Sequence, residues 1–203
     1  IRYFIIRATL LIIIPLSTAS QAQLNIYSHR HYDSDKVLFK KFTEKTGIEI
    51  NIVKGSADQL IQRLISEGEN SPADILLTVD AGRLYRAKEA GLLQPIRSRT
   101  LYRNIPSSLR DPDNQWFALT VRARVIVYSK ERVSQDDLST YEDLASSKWK
   151  GRIAVRSSSN IYNQSLMASL IEVNGKKKAL DWAKAVRLNM ARDPRGSDRD
   201  QAR

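Results

Sequence analysis

A regular exchange between two hydrophobic periods constrains this chain more than any other feature. Residues 24–28 read as a strand. Residues 34–46 then repeat apolar side chains at helical spacing, with Val37, Leu38 and Phe42 on one face and Gly47 where a helix should stop. Ile48, Ile50 and Ile52 alternate with polar residues, as in a half-buried strand. Ser56 and Gln59 form a capping box ahead of Leu60, Ile61, Leu64 and Ile65, and this helix is expected to end near Gly68. Residues 74–78 make a short apolar strand, and residues 81–90 a helix closed by Gly91. Strand and helix alternating three times demand right-handed crossovers and a mostly parallel sheet, so the fold class is α/β.

The second half repeats the theme less regularly. Residues 94–114 read as a connection, because Pro95, Pro106 and Pro112 break any long helix. Residues 116–128 are a long apolar and β-branched stretch, expected to run as a strand from one sheet into another. Ser139 with Glu142 predicts a second capping box before Leu144, and residues 152–156 a further strand. After the polar loop Ser157-Ser158-Ser159-Asn160 come a helix carrying Leu166, Leu170 and Ile171 that stops at Asn174-Gly175, and a helix over about 177–190 carrying Leu180, Trp182, Ala183 and Val186. Two α/β lobes with a cleft between them are therefore expected, a first over 23–121 and a second over 122–203.

Composition narrows the chemistry. With no cysteine among 203 residues, disulfide scaffolds, thiolate metal sites and cysteine nucleophiles are excluded, and His29 and His31 confine imidazole chemistry to one turn. Residues 1–22 have a basic head with Arg2 and Arg7, an apolar middle and a small-residue end, the pattern of a secretory signal peptide cut after Ala22. The apolar run falls short of the roughly 20 residues of a membrane-spanning helix and is interrupted by Pro15. The net charge of +11 becomes +9 without this segment. In an exported chain such a balance suits anions or acidic partners better than nucleic acid, and the basic residues form no stripe interleaved with aromatics; Lys176-Lys177-Lys178 is the one run of three.

Two turns are the candidate site. Ligands of open α/β sheets bind at the carboxyl ends of the strands, where Ser28-His29-Arg30-His31-Tyr32-Asp33-Ser34 falls. Arg156-Ser157-Ser158-Ser159-Asn160-Ile161-Tyr162-Asn163 repeats the sequence of strand, polar loop and helix start, and its free amides and hydroxyls suit an anion, with Tyr162 alongside. For any single tyrosine, a half-buried aromatic with a solvated hydroxyl is the alternative. No Gly-x-Ser-x-Gly elbow or glycine-rich phosphate loop is present, which leaves an exported α/β enzyme without support.

Five segments in order, Tyr27-Ser28-His29-Arg30-His31-Tyr32, Ser71-Pro72-Ala73-Asp74-Ile75-Leu76-Leu77-Thr78-Val79-Asp80, Arg122-Ala123-Arg124-Val125-Ile126, Lys148-Trp149-Lys150-Gly151-Arg152 and Arg156-Ser157-Ser158-Ser159-Asn160, resemble the ferric-iron-binding proteins of bacterial iron ABC transporters, most of all their cyanobacterial type. The resemblance implies a type II periplasmic-binding-protein-like fold, a monomer in the periplasm that closes over Fe(III) and hands it to a membrane permease. It further implies tyrosine phenolates as ligands, carried here by Tyr32 and Tyr162, with His31 matching the family's histidine and a synergistic anion possible at the 157–160 loop. Ferric iron is a hard, highly charged acid that prefers anionic oxygen and can hold a phenol ionised near neutrality, which agrees. Arg30, Arg122 and Arg124 are expected to make structural ion pairs, with compensation of phenolate charge as the alternative. The family continues past Gln201 to an adjacent tyrosine pair, so a C-terminally truncated product with an incomplete second lobe is expected. A binding protein for a polyamine or an inorganic anion is the other reading.

Overall fold

The computed structural model describes residues 22–30 and 32–202. Its first half rests on three parallel strands, β1 (Gln23–Ser28), β2 (Glu49–Lys54) and β3 (Ile75–Leu77), in the order β2-β1-β3. Leu24 pairs with Ile50 and Ile26 with Ile52 on one side of β1, and Ile26 with Ile75 and Ser28 with Leu77 on the other. Helices α1 (Asp33–Thr46), α2 (Ala57–Glu67) and α3 (Ala81–Glu89) follow the strands in turn. Gly47, at φ 71°, ends α1 with its amide on the Thr43 carbonyl at 2.8 Å, a left-handed stop that a side chain would strain. Ser56 and Gln59 form the expected capping box on α2.

The core of this half is Tyr27, Leu60 and Leu64, with Val53, Leu76 and Leu92 packed around it. Tyr27 is fully buried, and its hydroxyl donates to both Glu67 oxygens at 2.8 and 2.9 Å. Ser71 Oγ and Arg63 Nε donate to the same carboxylate at 2.7 and 2.6 Å. These donors, Ser71 foremost, hold the Glu67 carboxyl at about 2, while burial and then the bond to Glu67 push the Tyr27 phenol up. The apolar face expected of α1 is not buried. Val37 and Leu38 are 55% and 63% exposed and Phe42 is exposed too, because α1 packs along the edge strand β2 and three strands are too few to cover it. In α2, Leu60, Ile61 and Leu64 are buried as expected, and Ile65 faces out.

Helix α4 (Arg99–Asn104) follows α3, and the second half contains α5 (Ile161–Asn174), α6 (Lys176–Leu188) and α7 (Asp198–Gln201). Helices α5 and α6 pack on each other across Gly175. Trp149, Ile153 and Val186 form a separate core with Leu144, Trp182 and Met190 against it, and Ala179 takes the buried place on α6 expected of Leu180. Two expected strands do not form. Residues 116–128 make one antiparallel bridge, between Arg110 and Phe117, and then run without a ladder, leaving Leu119, Val121, Val125 and Val127 exposed. Residues 152–156 make one parallel bridge, between Ile153 and Met190. β-Branched residues favour extended backbone, but a strand also needs a neighbour for its amides and carbonyls. The second capping box is displaced as well. Ser139 and Thr140 donate to Asp143 rather than Glu142, whose carboxylate is taken by Asn174 at 2.7 Å. Among the described residues no helix is long and apolar enough to cross a membrane.

Candidate functional site

The carboxyl end of the sheet is drawn together by the backbone. The His29 amide donates to the Leu77 carbonyl at 2.9 Å, which ties the turn after β1 to the end of β3, and His29 Nδ1 lies 3.2 Å from the Gly55 carbonyl oxygen. Arg30 forks onto Asp35 at 2.9 and 3.0 Å, and its guanidinium carbon stands 4.9 Å from the centre of the Tyr32 ring. Tyr32 occupies the position just before α1 in extended backbone and is 40% exposed. His31 lies outside the described residues.

The facing wall begins at α5. Asn160 caps the helix, its side-chain oxygen accepting from the Tyr162 amide at 3.0 Å. Asn163 Nδ2 donates to the carbonyls of Arg156 and Ser157 at 2.7 and 3.2 Å, folding the serine loop back onto the helix start, and its oxygen accepts from Arg124. Arg156 stands 5.5 Å from the Tyr162 ring centre and pairs with Asp198 at 3.1 Å, which Arg124 reaches at 4.0 Å.

One guanidinium joins the two walls. Arg122 Nη2 donates to the Tyr32 hydroxyl at 3.1 Å, and the Arg122 guanidinium carbon lies 4.7 Å from the centre of the Tyr162 ring. The structure thus brings together two of the three residues singled out in the sequence, which are 130 positions apart. It also corrects the expectation for Arg122: Arg30 and Arg124 make ion pairs, whereas Arg122, among the described residues, meets tyrosines and no carboxylate. The electron-rich face of the Tyr162 ring attracts the guanidinium. Among the described residues no group of three or more His, Cys, Asp or Glu is placed to hold a metal ion. Tyr162, Arg122 and Arg156 line a broad open groove together with Thr78, Asp80 and Ser165.

Sequence reasoning did not single out Asp80 or Ser165. Asp80 is legible as a helix cap by its place just before the first turn of α3, but nothing local signals its second partner, Ser165 Oγ at 2.7 Å.

An α/β sheet whose strand-end turns face a capped helix across an open groove defines a two-part binding protein. The chain belongs to the bacterial extracellular solute-binding proteins, a family it matches over residues 70–201. It is 54% identical over 181 residues to iron uptake protein A1 of Synechocystis, an alignment covering 89% of this chain and 50% of that protein. Among solved structures it is similar to the Trichodesmium protein IdiA (FutA) in complex with iron and citrate ligands, at 57% identity and TM-score 0.85 over 89% of this chain and 57% of that one. It is also similar to the ferric binding protein of Campylobacter jejuni, at 49% identity and TM-score 0.83 over 88% and 57%. The fold is that of type II periplasmic binding proteins. The chain spans about half the length of the curated relatives it matches.

Proposed function

We propose that this chain is the iron-binding part of an extracytoplasmic transport protein, in which Tyr32 and Tyr162 supply phenolate oxygens to ferric iron and His31 adds its imidazole. The observation that carries the reading is the shared contact with Arg122: two tyrosines from opposite halves converge on one guanidinium. The names of the Synechocystis, Trichodesmium and Campylobacter relatives support the choice of metal. Each tyrosine enters as a phenol and must release a proton to bind, so binding strengthens as pH rises through the acidic range. Arg122, Arg30 and Arg156 offset the charge of the phenolates and leave room for an accompanying anion near the serine loop. In this reading residues 1–22 are a signal peptide removed after Ala22, residues 23–121 form the first lobe and 122–203 part of the second, and a monomer in the periplasm delivers iron to an ABC permease.

The test is a titration with ferric nitrilotriacetate. A visible phenolate-to-iron charge-transfer band is expected, lost in Tyr32→Phe and Tyr162→Phe and kept in Tyr85→Phe, whose ring is exposed on α3. Equal behaviour of Tyr162→Phe and Tyr85→Phe refutes the site.

A further inference from the structure

Away from the tyrosines the two halves meet a second time, at Asp80. Its Oδ1 accepts from the Gly82 amide at 2.9 Å, which caps α3, and from Ser165 Oγ on α5 at 2.7 Å. The helices are in close contact there, since a Cβ on Gly82 would stand 3.3 Å from Ile161 Cδ1. The backbone of Asp80 is unusual, at φ 74° and ψ 129°, a region that side chains rarely adopt and that concentrates at ligand clamps and switches. Capping alone does not require it. Ser56 and Ser98 cap α2 and α4 from ordinary extended backbone at φ −66° and −139°. What distinguishes Asp80 is the bond across to the other half.

The tyrosines ride on the same two bodies. Tyr32 and Asp80 follow strands that are hydrogen-bonded to each other, and the His29–Leu77 bond fixes their turns side by side. Tyr162 and Ser165 are three residues apart on α5, on neighbouring positions of one helical face. A tilt of α5 about the Asp80–Ser165 contact therefore moves Tyr162 relative to Tyr32.

We propose that Asp80 is a positioning residue, a clasp whose bond to Ser165 fixes the separation of the halves and hence the gap between Tyr32 and Tyr162. Only that last consequence rests on the function proposed above. The chain has no cysteine, so spin labels can be attached at two introduced ones, Lys40→Cys on α1 and Lys184→Cys on α6, both exposed. Pulsed dipolar spectroscopy on this pair is expected to give one narrow distance. Ser165→Ala, which leaves the α3 cap intact and favours the helix, should shift the ratio of clasped to unclasped molecules on the order of tenfold, as loss of a bond to a carboxylate implies. Asp80→Ala should broaden the distribution in the same way, and Asp80→Asn, which keeps an acceptor oxygen, should restore the narrow distance. Ser165→Ala with native circular dichroism and a distribution superimposable on the parent overturns the clasp. This arm needs no iron, so the ferric titration, run separately on the same proteins, judges the tyrosine site independently.

Discussion

Leu60→Ala offers a quantitative probe of the packing that holds the first turn of the site in place. Leu60 is 3% exposed, lies against Tyr27 in the first core, and its Cδ2 and Cγ sit 3.1 and 3.2 Å from where a Cβ on Gly55 would be. The substitution removes three carbons, worth about 2.5 kcal/mol at ~0.8 kcal/mol each, and the residual cavity brings the loss to about 3 kcal/mol. For a chain of this size that is a fall in Tm of about 6–12 °C. The converse change, Gly55→Ala, crowds Leu60 and should cost about 1 kcal/mol alone. In the Leu60→Ala background the crowding is gone, so the double variant should be more stable than the sum of the singles by about 1 kcal/mol. Urea denaturation followed by far-UV circular dichroism measures all four proteins on one scale. A loss below about 1 kcal/mol for Leu60→Ala, or strict additivity in the cycle, refutes the packing argument. Because the Gly55 carbonyl is the partner of His29 Nδ1, the His29 ring resonances should shift in Gly55→Ala and recover in the double variant.

Further outcomes are expected. Arg122→Gln removes the guanidinium shared by the two tyrosines, so the phenolate band at a fixed iron concentration should be weaker than in the parent, whereas Arg103→Gln on α4 should leave it unchanged. The Glu67 carboxyl is held at about 2, below its ordinary value of 4.5, so its stabilising effect is complete above pH 4.5 and fades as pH falls toward 2; urea midpoints of Glu67→Gln should lose that part of the acid dependence. The Tyr27 phenol is pushed up from 10, so its effect is complete below pH 10 and fades above it, and an alkaline fall in midpoint should be smaller in Tyr27→Phe. Lys88 pairs with Asp111 and Asp113 at 2.8 and 2.6 Å, and Lys88→Met strands the buried Asp111 carboxylate, so Tm should drop by several degrees and recover in part when Asp111→Asn is added.

The first half was legible because its signals are local. Gly47 and the Ser56–Gln59 box mark helix ends by backbone chemistry, and the alternation of Ile48, Ile50 and Ile52 marks β2, so the parallel sheet follows from the order of elements. Burial was less legible, since the apolar spacing of Val37, Leu38 and Phe42 tells which face could be covered and not whether a partner covers it. The same distinction explains residues 116–128, whose composition specifies extended backbone while a ladder depends on a neighbour. At the site, Tyr32 and Tyr162 were reached through a resemblance carried by short motifs. Their meeting at Arg122, and that of Asp80 with Ser165, joins residues 90, 40 and 85 positions apart, and no local pattern encodes such pairings.

The strand order β2-β1-β3 bears on how the chain reaches this structure. The central strand is made first, and its neighbours arrive 26 and then 49 residues later, as the pairs Asn25–Asn51 and Asn25–Asp74 record. Every bond of the sheet is therefore available once residue 77 has emerged, well before α5 exists. Closing short loops before long ones keeps the entropy cost of each step small. The sheet that carries the turn of Tyr32 is therefore complete in sequence before the residues that meet it from the later half, Arg122 and Ser165, have been made.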